Sequence, residues 1–169
     1  MNYRINFEIV SGLEEAKELW EQLSYKETLF DLWDFRNCFY KHDNFPIKFI
    51  VGSVDGQVIG ILPLQENTRE NYWEYFGGSW MEDNKVYIKP EFIGYIKDFY
   101  LQIPGAAELT GINQNDPFSK NLPLDEFKYQ LDISKYQNYW EYIGDKFNKK
   151  GLKTYQRKIR KIEIEKIEL

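Results

Sequence analysis

The chain holds one cysteine, Cys38, and one histidine, His42, in 169 residues, so neither a Cys/His zinc site nor a disulfide framework can be assembled from it. Its carboxylates show no EF-hand spacing. No stretch approaches the roughly 18 to 20 consecutive apolar residues of a membrane helix. The opening Met1-Asn2-Tyr3-Arg4-Ile5-Asn6 has no apolar signal-peptide centre. A cytoplasmic protein without a membrane span is the expectation. Internal repeats, low-complexity tracts and flexible linkers are absent too, so one domain is expected over residues 1–169.

What is present is aromatic and charged: 43% of residues are apolar, 18% aromatic and 29% charged, a globular composition. A chain of this size buries roughly 70% of its unfolded surface, enough for a core without staples. The net charge of -5 conceals an asymmetry. Lys146 to Leu169 carries nine basic residues against three acids, whereas the preceding 145 residues carry 13 against 24. The body is acidic and the tail basic.

Ile5 to Val10 predicts an opening strand. Ser11-Gly12-Leu13-Glu14 then reads as a capping box, and Leu13, Ala16, Trp20 and Leu23 share one face of the helix it opens. Leu29 to Tyr40, dense in aromatics, predicts a short second helix ended by Asn44-Phe45-Pro46. Two β-rich runs, Ile47 to Val54 and Gln57 to Leu64, flank Asp55-Gly56, a type I′ hairpin signal. Tyr72 to Phe76 predicts a strand, Glu91 to Ile103 a helix between Pro90 and Pro104, and Ala106 to Ile112 and Phe127 to Ile133 two further strands. Ser134-Lys135-Tyr136-Gln137 reads as a second capping box, opening a helix that Gly151 interrupts. A basic helix follows, and Ile162-Glu163-Ile164-Glu165 reads as the start of a strand cut off by the chain end, which suggests a fragment.

This element order argues for an α/β (α+β layered) domain with a largely antiparallel sheet. Several motifs go further: Trp20 in the first helix, Phe30 and Trp33 in the second, Asp55-Gly56 between strands ending Leu62-Pro63-Leu64, and Phe76-Gly77-Gly78. In that order they resemble the N-terminal half of GNAT-fold acyltransferases. The likeness is greatest to the two-half branch of cellulose-biosynthesis-type acetyltransferases and FemAB-like peptidoglycan aminoacyltransferases. Leu131-Asp132-Ile133 and the basic stretch Lys149-Lys150 through Arg157-Lys158-Ile159-Arg160-Lys161 resemble that branch's passage into its second half.

The resemblance implies a GNAT-like domain forming the acceptor-side half of an enzyme that transfers an acetyl or aminoacyl group to an amine or hydroxyl. Its donor would be acyl-CoA or aminoacyl-tRNA, its acceptor a small molecule or cell-envelope precursor, and its partner a second GNAT-like half. The Arg/Gln-x-x-Gly-x-Gly/Ala turn with which ordinary GNAT domains hold pyrophosphate is missing from this sequence. No cofactor site is therefore expected in this chain, and whether it is an enzyme by itself stays open. From a different class, the alternative is a non-catalytic module whose basic C-terminal helix binds a partner protein or nucleic acid; nucleic acid is the less expected partner.

Candidate substrate-binding residues centre on the loop from Gly77 to Asn84. Paired glycines there permit close backbone approach, and Ser79, Trp80, Asp83 and Asn84 offer hydrogen bonds and stacking. Trp33 and Tyr40, aromatic rings with polar handles, are added as candidate walls of an acceptor groove; core packing is the commoner use. His42 beside Asp43 can be nominated as a base, but a loop or helix-dipole role is favoured. Cys38 reads as a small buried side chain rather than a nucleophile. No catalytic residue and no metal ligand are assigned.

Overall fold

Period-two alternation along the hairpin decides the architecture, because successive strand side chains point to opposite faces. A computed structural model describes residues 3–113, 115–121 and 135–164. Strands β1 (Asn6–Val10), β2 (Phe49–Val54), β3 (Gln57–Leu62) and β6 (Tyr87–Ile88) form an antiparallel sheet in the order β1-β2-β3-β6. Phe49, Val51, Ile61 and Tyr87 join one buried cluster with Ala16, Trp20 and Leu23 of α1 (Leu13–Leu23) and Trp33 of α2 (Trp33–Asp43). Their strand neighbours Ile50, Leu62 and Ile88 join a second cluster with Ile96, Phe99 and Tyr100 of α3 (Ile96–Tyr100). Helices thus pack on both faces of an antiparallel sheet, the α/β layered class expected.

A second, two-stranded sheet pairs β4 (Leu64–Asn67) with β5 (Tyr72–Tyr75), placing Gln65 opposite Glu74. Pro63 separates β3 from β4, so the single run expected to Leu64 serves two sheets. Asp55 and Gly56 take φ of 49° and 78°, the positive pair a type I′ turn demands.

Local readings shift at several ends. The first helix is capped at Gly12 with no side-chain hydrogen bond, so the Ser11 box does not form. One element later the Asp31 carboxylate accepts the Thr28 N–H at 3.1 Å, closing the start of a 3-10 turn over Leu29–Asp31 that precedes α2. The helix expected over Glu91 to Ile103 is a 3-10 segment, Pro90–Tyr95, followed by the short α3. Ala106 to Ile112 is not a strand. It contributes single bridges, Ala107 to Trp73 and Ile112 to Asn84, where edge backbone needs partners. Cys38 is exposed, because its position on α2 turns away from the core that Trp33 and Arg36 enter.

The chain divides into two compact units, Met1–Pro123 and Leu124–Leu169. The strand expected over 127–133 and the Ser134 cap lie outside the described residues. In the second unit α4 (Tyr139–Lys146) starts at Asn138, whose side chain accepts the Glu141 N–H, and α5 runs Lys149–Ile164. Gly151 therefore sits inside α5, and the interruption falls at Phe147, whose extended backbone closes α4. Residues 162–164 continue α5 instead of opening a strand. Its apolar arc meets the rings of α4 and its end: Tyr155 lies 6.3 Å from Tyr139 and 5.8 Å from Phe147 between centroids.

Candidate ligand-binding cleft

Aromatic residues crowd the start of α2, and within them sits a fully buried cation, Arg36. Its guanidinium donates to the carbonyls of Phe30 at 2.5 Å, Phe76 at 2.9 Å and Asp83 at 3.0 Å, and to Asn84 Oδ1 at 2.8 Å. Burial pulls its pKa below the ordinary arginine value, opposed by the charges of Tyr87 and Asp31. Three of those four acceptors belong to the segment from Phe76 to Asn84. Arg36 is thus the clamp that gives the glycine loop its shape. Its face lies 5.2 Å over the Trp20 ring.

Beside it lies a second buried charge group. Asp31 accepts the N–H groups of Glu27 and Thr28 at 3.0 and 3.1 Å and the Tyr87 hydroxyl at 2.7 Å. Lys85 bridges Asp31 at 3.1 Å and Asp83 at 3.5 Å. These groups satisfy one another and tie the first helical layer to β6.

The polar surface that stays open lies at the β4–β5 hairpin. A cleft of about 200 Å³ is bounded by Asn67, Arg69 and Glu70 on the hairpin turn, Tyr72 and Glu74 on β5, the 3-10 turn Gly78–Trp80, and Asp43 with Phe45 after α2. Gln65 fixes its floor: the side-chain amide donates to Glu74 Oε1 at 2.7 Å, while its oxygen accepts the Gly77 N–H at 3.0 Å. Glu74 is only 8% exposed, and among the described residues no cation pairs with it. Gly78, with φ of 74°, passes over this carboxylate, and a Cβ there would stand 3.7 Å from Glu74 Oε1. Tyr72 donates or accepts as a neutral phenol, since burial, and then the charges of Glu74 and Glu108, push its pKa up. Trp80 is 69% exposed at the rim, stacked on Phe39 at 6.3 Å.

Of the residues singled out in sequence, Gly78, Ser79 and Trp80 line this cleft. Gly77 shapes it through its N–H to Gln65. Asn84 spends its side chain inward, on Arg36 and on the carbonyls of Met81 and Thr110 at 2.9 and 2.8 Å. Asp83 is buried with Lys85 and Asn113. Trp33 packs on Phe76 at 5.0 Å inside the core, and Tyr40 is half-buried against the same ring at 5.3 Å. His42 is exposed in the last turn of α2. Sequence reasoning missed Glu74, Gln65, Tyr72 and Arg36. The one available signal was a polar residue, Glu74, between Trp73 and Tyr75 in a strand.

Among the described residues no group of three or more His, Cys, Asp or Glu side chains could hold a metal, and no helix is long and apolar enough to cross a membrane. No protein-family model matches the sequence, and no curated protein matches it. A crystal structure of a Trypanosoma brucei acetyltransferase overlays on it with a TM-score of 0.40 and 16% identity, covering 77% of this chain and 99% of that one. An overlay at that level fixes neither an activity nor a kinship.

Proposed function

We propose that the chain supplies the acceptor-binding side of a GNAT-type acyltransferase, in the two-half branch that joins cellulose-biosynthesis-type and FemAB-like enzymes. The observation that carries the reading is the Glu74 carboxylate, buried, oriented by Gln65 and left open beneath Gly78. Supporting it is the element order the resemblance rests on: strand, two helices, then the Asp55-Gly56 hairpin and the aromatic-Gly-Gly turn. Acyl transfer by direct attack needs an acceptor held in line and a group to take its proton. Glu74 would accept that proton from the acceptor's nitrogen or oxygen, with Tyr72 and Ser79 orienting the rest. The donor, acyl-CoA or aminoacyl-tRNA, brings the activated carbonyl and would be held by a second GNAT-like half.

Thermal unfolding with and without millimolar acetyl-CoA tests this division. A ligand present at about 100 times its dissociation constant stabilises by roughly 2.7 kcal/mol. The expected outcome is a cooperative melt that acetyl-CoA leaves in place. A clear upward shift would put the donor groove in this chain and end the half-enzyme reading.

A further inference from the structure

We infer that the unit holding α4 and α5 docks on an anionic phospholipid surface, as a peripheral contact and not as a span. This face is separate from the β4–β5 cleft, and the inference stands apart from the acyltransferase reading. Its first ground is charge. α5 carries seven basic residues against one acid, Glu163. Lys150 and Lys158 are exposed, and among the described residues no carboxylate pairs with either. A cluster of cations on one amphipathic helix is drawn to anionic headgroups within a screening length of the surface.

The second ground is a run of rings beside those cations. Tyr139, Trp140 and Phe147 are 52%, 56% and 40% exposed. Their centroids form a chain, Trp140 to Tyr139 at 5.5 Å, Tyr139 to Tyr155 at 6.3 Å and Tyr155 to Phe147 at 5.8 Å. Phe147, Gly151 and Tyr155 line a groove of about 500 Å³, with Lys150 and Lys158 lining it too, eight residues apart on α5. A Cβ on residue 151 would stand 3.1 Å from Phe147 Cδ1, so glycine lets the ring lie close to the helix. Trp and Tyr rings settle where headgroups meet acyl chains, and Lys side chains reach from there to the phosphates. Rings and unpaired ammoniums on one surface meet both demands. A nucleic acid would use the same cations, but the groove's uncharged hydrogen-bonding side chains are already engaged, Asn148 with the Gly151 N–H and Thr154 with the Lys150 carbonyl.

The test sediments the full chain with vesicles of mixed phosphatidylglycerol and phosphatidylcholine, and with vesicles of phosphatidylcholine alone. Binding to the anionic vesicles is expected to saturate, to be roughly tenfold or more tighter than to the neutral ones, and to weaken as added salt shortens the screening length. Each cation near the surface strengthens binding by roughly fivefold, so the double variant Lys150→Gln, Lys158→Gln should lose about twentyfold. Trp140→Ala, a change at an exposed ring, should weaken binding severalfold, and helical circular dichroism matching the parent chain shows that both variants keep their fold. No binding, equal binding to the two vesicle types, or undiminished binding by the double variant overturns the inference. Tighter binding to a single-stranded oligonucleotide than to the anionic vesicles overturns it in favour of a nucleic-acid partner.

Discussion

Arg36 shows how much a single side chain can organise. Its four hydrogen bonds and its stacking over Trp20 neutralise carbonyls that would otherwise be buried and unpaired. Truncating it leaves the Phe76 and Asp83 carbonyls without donors, so Arg36→Ala should cost about 3 kcal/mol or more in urea unfolding. Arg36→Lys should recover only part of this, because an ammonium cannot reach four acceptors in the plane of the guanidinium fork. Destabilisation below about 1 kcal/mol in Arg36→Ala would mean that the glycine loop holds its shape without the clamp. In the sequence, Arg36 is one of several polar residues set between the aromatics of the second helix. Only the approach of a loop from 40 residues further on identifies its partners.

Among elements, tyrosines carry hydrogen bonds across layers. The Tyr100 hydroxyl of α3 donates to Asp116 at 2.8 Å, so the Tyr75 hydroxyl of β5 donates to Tyr100 at 2.9 Å. Tyr87 of β6 donates to Asp31, and the Tyr25 hydroxyl both donates to the Ile88 carbonyl and accepts its N–H, capping the sheet edge. Burial, first of all, raises the pKa of Tyr75, Tyr87 and Tyr100 above the ordinary value of 10.0. With the folded pKa raised, the stabilisation is complete below pH 10 and declines as pH rises, since the unfolded chain releases these protons first. Stability should fall by on the order of 1.4 kcal/mol per pH unit for each tyrosine above that point. Urea melts between pH 9 and 11, followed with phenolate absorbance, check this; titration of all the tyrosines before any loss of structure would refute it. The hairpin and α1 were legible because their periods of 2 and 3.6 are local. The capping of α1 and the loop at residues 106–112 were not, because backbone there is satisfied by whatever lies across the gap.

For the molecule as a whole, charge separation is the feature composition already displays. Arg157, Lys158, Arg160 and their neighbours on α5 are exposed, and among the described residues no carboxylate pairs with Lys149, Lys150 or Lys153. A solvated basic face of this kind gives weak, sequence-independent attraction to phosphate backbones, opposed here by a net charge of -5. A single-stranded 20-mer oligonucleotide should therefore bind no more tightly than about 10⁻⁵ M at physiological salt. Submicromolar binding with a steep negative log–log salt slope would instead favour the interaction-module reading.

The sequence by itself determined the layered α/β class, the Asp55-Gly56 hairpin, the amphipathic α1 and the division into acidic body and basic tail. Each follows from local periodicity, turn chemistry or a count of charges. The tertiary structure decided which polar residues are spent and which stay open. Asp83 and Asn84, adjacent to the glycines in sequence, turn inward because Lys85 and Arg36 compensate them there. Glu74, unremarked in its strand, faces an open cleft because Gln65 stands opposite it in the hairpin register and a glycine passes over it. Burial of a charge is a sum over neighbours distant in sequence, so no local pattern could have assigned those two outcomes.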